Sequence, residues 1–270
     1  MQTGHAGPVV AAAPMTNAAP PLSWHLAVAL VLLLALAVGA SVAGRVGIER
    51  PVLTAAGRAV IQLAVVALII GAVLDRRWAS LLFALAMFTV AVITASGRVG
   101  ARHAWAWIAG ALAAGVVPVL LLIFGLQAAT FTGPAIVAIA GIIIGGAMTA
   151  HTLAVRRAFD TLRADRGLVE AALALGFDRQ AAISIVIGRH ASEAVLPAID
   201  QTRTVGLVTL PGAFVGVLLG GGSATDAAAS QLMVLVGLLA TQTCVVTVSQ
   251  RLIAAGRILA PDLRQSLPER

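Results

Sequence analysis

Lysine is absent from this chain of 270 residues, and all 18 of its basic side chains are arginine. Without lysine there is no P-loop lysine to hold a nucleotide phosphate and no Schiff base to retinal or pyridoxal phosphate. A seven-helix photoreceptor is therefore excluded, and any ATP that drives this chain is handled by another polypeptide. Cysteine is nearly absent as well: Cys244, within an apolar run, is alone, so neither an intrachain disulfide nor a cysteine-cluster metal site can form. Charge is scarce, at 11% of residues against 60% hydrophobic. With a mean hydropathy of +0.99, the composition is far from that of a soluble globular domain, and no soluble enzyme domain fits.

What is present instead is a series of apolar runs, each of roughly the 20 residues that a helix needs to cross a bilayer. They predict an all-α polytopic membrane protein with about seven spans, near 22–43, 52–74, 79–96, 104–126, 133–153, 192–219 and 228–250. Residues 1–21 carry no basic n-region and read as a flexible N-terminal tail rather than a cleaved signal peptide. Residues 22–252 then form the transmembrane domain, and 253–270 a cytoplasmic C-terminal tail. The sixth span is expected to be broken or kinked, because Pro197 and Leu210-Pro211-Gly212 interrupt it.

Arginine placement orients the array. With the N-terminus outside and the C-terminus inside, Arg45, Arg50, Arg98, Arg102, the run from Arg156 to Arg189, and Arg251, Arg257 and Arg264 all fall in the cytoplasm, leaving Arg76 and Arg77 outside. The net charge of +7 thus belongs to topology and anionic lipid rather than to nucleic acid. A multi-pass protein of the inner, or plasma, membrane is expected.

One long polar stretch breaks the apolar pattern, a cytoplasmic loop over 153–190 that contains Glu170-Ala171-Ala172, then Gly176 and Phe177. This string resembles the EAA loop of ABC-transporter permeases, where a short cytoplasmic helix docks on the ATPase. By itself it also reads as an exposed helix ended by a glycine turn. Polar residues in apolar segments are the other candidates. Arg58 and Gln62 share a face of the second span, and Arg58 either snorkels to the interface or meets the transport pathway with Gln62. Glu193, Asp200 and Arg203 crowd the start of the broken span. Asp200 and Arg203 either pair on one helix face or, with Thr204, offer a cation ligand or a charged gate, and Glu193 and Asp200 are the candidate metal ligands. Gly212, Gly216 and Gly220, like Gly141 and Gly145, recur at intervals of four and read as close helix-packing faces. No acid and nucleophile stand paired at catalytic spacing, so no catalytic residues are assigned.

Together GRAVIQL, IVAIAGIIIGGAM, EAALALG and AVLPAIDQTRTVGLVTLPGAFVGVLLGG resemble the Fet-type iron-export ABC permease family, which also includes plant permeases of aluminium tolerance. The resemblance spans about residues 45 to 255 and is most specific from Pro197 to Gly212. It implies a permease without its own ATPase, working with an ABC ATPase subunit that carries the ATP and Mg, as two copies of each, and exporting iron or another metal cation. In that reading Glu170, Ala171, Ala172, Gly176 and Phe177 couple to the ATPase. Arg58, Gln62, Asp200, Arg203, Thr204, Pro211 and Gly212 line the pathway, and this chain binds no cofactor. The chain departs from the family in a longer Pro/Ala-rich tail and in arginine, Arg203 included, where relatives often use lysine. Two alternatives stay open: a secondary transporter or channel with no ATPase, and an ABC permease for a non-metal cargo such as a nucleotide sugar.

Overall fold

The computed structural model describes residues 23–266, so the proposed tail at 1–21 and the last four residues lie outside it. The described chain is helical throughout, with no strand beyond an isolated bridge between Val205 and Thr209. Its helices are α1 (Trp24–Ala43), α2 (Glu49–Leu74), α3 (Arg77–Arg98), α4 (Trp105–Gly125), α5 (Gly133–Ala164), α6 (Arg166–Ala174), α7 (Arg179–Gly188), α8 (Leu196–Thr204), α9 (Gly212–Leu219), α10 (Ala224–Ala254) and α11 (Pro261–Ser266). Six of them, α1 to α5 and α10, are long and apolar enough to cross a membrane. A bilayer offers no water to backbone polar groups, and a helix satisfies them all internally.

The sixth of the expected spans is not a continuous helix. It is split into α8 and α9, separated by a turn in which Val205 is extended and Gly206 takes φ +80°. The prolines act differently from the sequence expectation. Pro197 lies in the first turn of α8, where its missing N–H is not needed, and Pro211 directly precedes α9. Both mark helix starts, and the break falls between them.

By internal contacts the chain divides into two compact units, one running through Ile70 and including Leu219–Gly221, the other holding the rest. In the first, Ser41 donates a 2.6 Å hydrogen bond to Glu49 and accepts one from the Ile48 amide, which ties the α1–α2 turn. Apart from Ser41, α1 buries no residue and α2 buries none at all.

The second unit is a bundle in which α5 packs against α3 and α10, and α4 against α10 and α5. Small residues set the closest approaches. A side chain at Gly115 would strike the Thr241 carbonyl oxygen 2.5 Å away, and one at Gly146 would strike Leu238. Of the glycines expected to form packing faces, Gly141 meets Met87, whereas Gly145, Gly212 and Gly216 face nothing within 4 Å. A buried polar bond also crosses the α5–α10 seam. The Ser249 hydroxyl donates to the Val245 carbonyl, so the buried His151 donates Nδ1–H to Ser249 at 2.8 Å.

The long polar loop is more ordered than its composition suggests. α5 does not stop near 153 but runs to Ala164, 32 residues or about 48 Å. That exceeds the roughly 30 Å hydrocarbon core, so the last turns stand clear of it. On those turns Val155, Ala158, Phe159 and Leu162 join one core with Val169 and Ala172 of α6, Ile183 and Ile187 of α7, and Ile258, Leu259 and Leu263 beyond α10. The expected C-terminal tail is therefore partly built into the base beneath α6 and α7.

The Gly115 contact yields a test. Gly115→Ala should lower the thermal unfolding midpoint of the detergent-solubilised protein, at a cost of ~1–3 kcal/mol, while Gly145→Ala leaves it unchanged. Equal midpoints for the two variants would remove the close α4–α10 approach as a determinant of stability.

Candidate functional site

The Glu170-Ala171-Ala172 string falls on α6, a helix of nine residues set on the end of α5. Val169 and Ala172 are its buried positions, against α5 and α7, which turns Glu170 and Ala171 outward. Glu170 accepts from Arg166 one turn earlier at 3.1 Å, a pairing that stiffens an exposed helix modestly. Leu168, Ala171 and Leu175 then share the free face at helical spacing. Leu175 is 79% exposed and Leu168 42%.

The end of α6 explains Gly176. Its N–H bonds to the Leu173 carbonyl, and the Phe177 N–H to the Ala172 carbonyl, the paired bonds of a Schellman cap. This geometry needs a left-handed residue, and Gly176 has φ +91°. Phe177 follows immediately and is half exposed, and Asp178 caps α7 by accepting from the Ala181 amide at 2.7 Å. Three large apolar side chains, Leu168, Leu175 and Phe177, are thus displayed together on a rigid pedestal outside the apolar spans.

Two ion pairs hold the pedestal. Arg163, near the end of α5, donates from Nε and Nη2 to both carboxylate oxygens of Asp262 in α11, at 2.8 and 3.2 Å. The Arg163 hydrogen bonds keep the Asp262 carboxyl below the usual carboxylate range, against a smaller opposing effect of burial. The second pair engages Glu193, one of the two candidate metal ligands of the sequence reading. One oxygen of Glu193 meets Arg157 Nε of α5 at 3.2 Å, and the other meets His190 Nδ1 at 2.7 Å, so both are engaged. Nothing in the spacing announced the Arg157 contact, although His190 and Glu193, three apart, share a helical face.

The charge cluster of the broken span therefore divides. Glu193 joins α5, and Asp200 and Arg203 remain on α8, 3.7 Å apart and largely exposed, where such a pair contributes little. The Thr204 hydroxyl donates to the Asp200 carbonyl. Pro211 and Gly212 lie at the start of α9, where the Phe214 amide donates to the buried Gln231 of α10 at 3.3 Å. In the turn between the half-helices Leu207 is 90% exposed and Val208 78%. In the other unit Arg58 and Gln62 lie on α2, both exposed and without an ion pair or side-chain hydrogen bond among the described residues. Among those residues no three His, Cys, Asp or Glu side chains come together in a way that could hold a metal ion.

The model of the family described as "Uncharacterised protein family (UPF0014)" matches residues 23–256. The chain belongs to UPF0014. Within it, the rice (Oryza sativa subsp. japonica) UPF0014 membrane protein STAR2 is 34% identical over 80% of this chain and 77% of its own length. The Arabidopsis thaliana protein ALUMINUM SENSITIVE 3 is 32% identical over 77% of each. The Escherichia coli (strain K12) relative, the probable iron export permease protein FetB, is 29% identical over 73% of this chain and 77% of its own. No solved structure matches. These are the bacterial and plant relatives toward which the run from Pro197 to Gly212 pointed, and this UPF0014 member is itself a polytopic all-α membrane protein.

Asp262 gives the pedestal a defined response to acid. Because its value is depressed on folding, its stabilising contribution is present above the ordinary carboxylate value of about 4 and is lost as pH falls through the depressed one. At neutral pH Asp262→Asn should reproduce the loss. Amide exchange in α11, α6 and α7 is expected to speed up while α4 stays as in the wild type, and unchanged exchange in α11 would contradict the role given to this pair.

Proposed function

We propose that this UPF0014 member is the permease subunit of an ABC transporter of the inner membrane, driven by ATP and Mg held on a separate ATPase subunit. The observation that carries the reading is the exposed face of α6, where Glu170 and Ala171 stand beside Leu168, Leu175 and Phe177 on a base continuous with a membrane-spanning helix. An apolar stripe held away from the apolar spans calls for a protein partner. In this account the ATPase receives α6 and Phe177 in a cleft on its surface, with Ala172 and Gly176 fixing the shape of the inserted piece. Arginine placement sets α6 on the cytoplasmic side, where an ATPase has its nucleotide.

Two copies of the permease work together. The turn from Val205 to Leu210 leaves apolar side chains exposed and interrupts the helical ladder inside an apolar segment. Irregular backbone at membrane depth is tolerated where protein or a water-filled path covers it. A second copy and the pathway between the copies supply both. Arg58, Gln62, Asp200, Arg203, Thr204, Pro211 and Gly212 are assigned to that pathway.

The cargo is a metal cation moved outward, with iron the leading candidate, on the strength of the Escherichia coli relative's description as an iron export permease. A non-metal cargo is the second reading. It is favoured by the engagement of Glu193 with Arg157 and His190, and of Asp200 with Arg203, which leaves neither carboxylate unaccompanied.

A tagged wild-type protein should co-purify with an ATPase, and Glu170→Arg, which sets a second cation beside Arg166, should weaken that association about tenfold or more, ~1.4 kcal/mol. A strain lacking the protein should accumulate iron. If no ATPase accompanies the wild type and Glu170→Arg transports normally, the permease reading fails. Unchanged cellular iron with the ATPase bound removes only the iron assignment.

A further inference from the structure

We propose that the cleft between the C-terminal end of α3 and the outer turns of α5 binds the phosphate group of an anionic phospholipid. The cleft has a volume of about 450 Å³, and Arg98, Arg156 and Arg163 line it together with Gly97, Gly100 and Phe159. It is separate from α6, and it does not depend on the permease reading or on which side of the membrane it faces.

Helix length sets its depth. α3 begins at Arg77 and reaches Arg98 after 22 residues, about 33 Å, and Arg156 stands about 35 Å along α5 from Gly133. Both distances just exceed the roughly 30 Å of hydrocarbon. Two helices thus bring their arginines independently to the headgroup layer.

The charges in the cleft are unequal in what they have left to offer. Arg163 is already shared between Asp160 and Asp262, and Asp160, the carboxylate at the cleft, is held through one oxygen at 3.3 Å and stays largely exposed, so Arg98 and Arg156 are the cleft's available cations. Arg156 donates from Nε and Nη2 to the Arg98 carbonyl, at 3.1 and 3.0 Å, capping the end of α3. That anchorage fixes the guanidinium and leaves Nη1 without a partner among the described residues. The Arg98 guanidinium has no ion pair among them either, and Arg102 stands 3.7 Å from where a side chain at Gly97 would begin.

The floor is open for the same reason. Gly97 and Gly100 present no side chain, Gly100 holds φ +69°, and a Cβ there would meet nothing within 4 Å. Phosphate oxygens match guanidinium donors in number and spacing. Because α3 and α5 both bring these arginines to headgroup depth, the phosphate that meets them there is one held at the membrane surface by its own acyl chains, which favours a phospholipid over a free phosphate.

The test uses the full chain in detergent, with retained lipid read by native mass spectrometry. Dioleoyl phosphatidylglycerol should be retained in preference to dioleoyl phosphatidylcholine. Arg98→Gln should cut that preference about fivefold, and Gly97→Glu, which sets a carboxylate against the same arginines, should cut it at least as far. Arg189→Gln removes equal charge elsewhere and should leave it intact. Excess inorganic phosphate distinguishes the sources: lipid retained in its presence supports the phospholipid. Displacement of the lipid, with thermal stabilisation by inorganic phosphate alone, keeps the phosphate site but overturns the lipid as its occupant. No headgroup preference in the wild type, or equal losses in Arg98→Gln and Arg189→Gln, overturns the site.

Discussion

A helix that leaves the hydrocarbon without ending carries whatever is built upon it as a rigid attachment, and α5 is such a helix. Its backbone ladder runs unbroken from Gly133 to Ala164, so the turns inside the membrane and the turns outside cannot move independently without breaking hydrogen bonds. The outer turns bury Val155, Phe159 and Leu162 beneath α6, α7 and the chain beyond α10. Close-packed interiors of this kind transmit displacement rather than absorb it. The inner turns pack on α3 and α10. Push on α6 from outside and the load reaches the bundle through α5 directly and through α7, which packs on both α5 and α10.

The bundle's contacts with α5 are made close by residues with little or no side chain, as at Gly146, and are pinned by the His151–Ser249 bond across the α5–α10 seam. Where the chain abandons the ladder, between α8 and α9, it does so with Leu207 and Val208 exposed and with Gly206 bending the backbone. The contrast is physical. α5 is suited to carry motion, and the α8–α9 turn, held by a few local hydrogen bonds from Gly206, Leu207 and Val208 rather than by a continuous ladder, is suited to change shape. Arg157 and Glu193 connect the two regions, from α5 to the chain just before α8.

Six of the spanning helices and the broken character of the sixth segment were legible in the sequence because hydrocarbon imposes its requirement on every residue of a span. The end of α5 was not. Past His151 the polar residues lie on one side of a helix whose other side is buried by α6, α7 and the segment around Ile258, and no local pattern reports a partner a hundred residues away. The same holds for Glu193, whose neighbour Arg157 is set by folding rather than by spacing. Gly176 was legible, since a glycine closing a short helix has a structural reason that the Schellman bonds of Phe177 and Gly176 supply. The glycine repeats left open whether they pack within the chain or between two copies; within the chain Gly141 meets Met87, and Gly145 and Gly212 meet nothing within 4 Å.

The central claim is that α6 is a docking surface for a separate ATPase. A photo-crosslinking side chain placed at Leu175, at the exposed tip of α6, tests it in intact membranes, with Leu232 on the exposed face of α10 as the comparison. The account predicts an adduct with an ATPase subunit at Leu175 and none at Leu232. An ATPase adduct at neither position, with the protein folded and inserted, would contradict it.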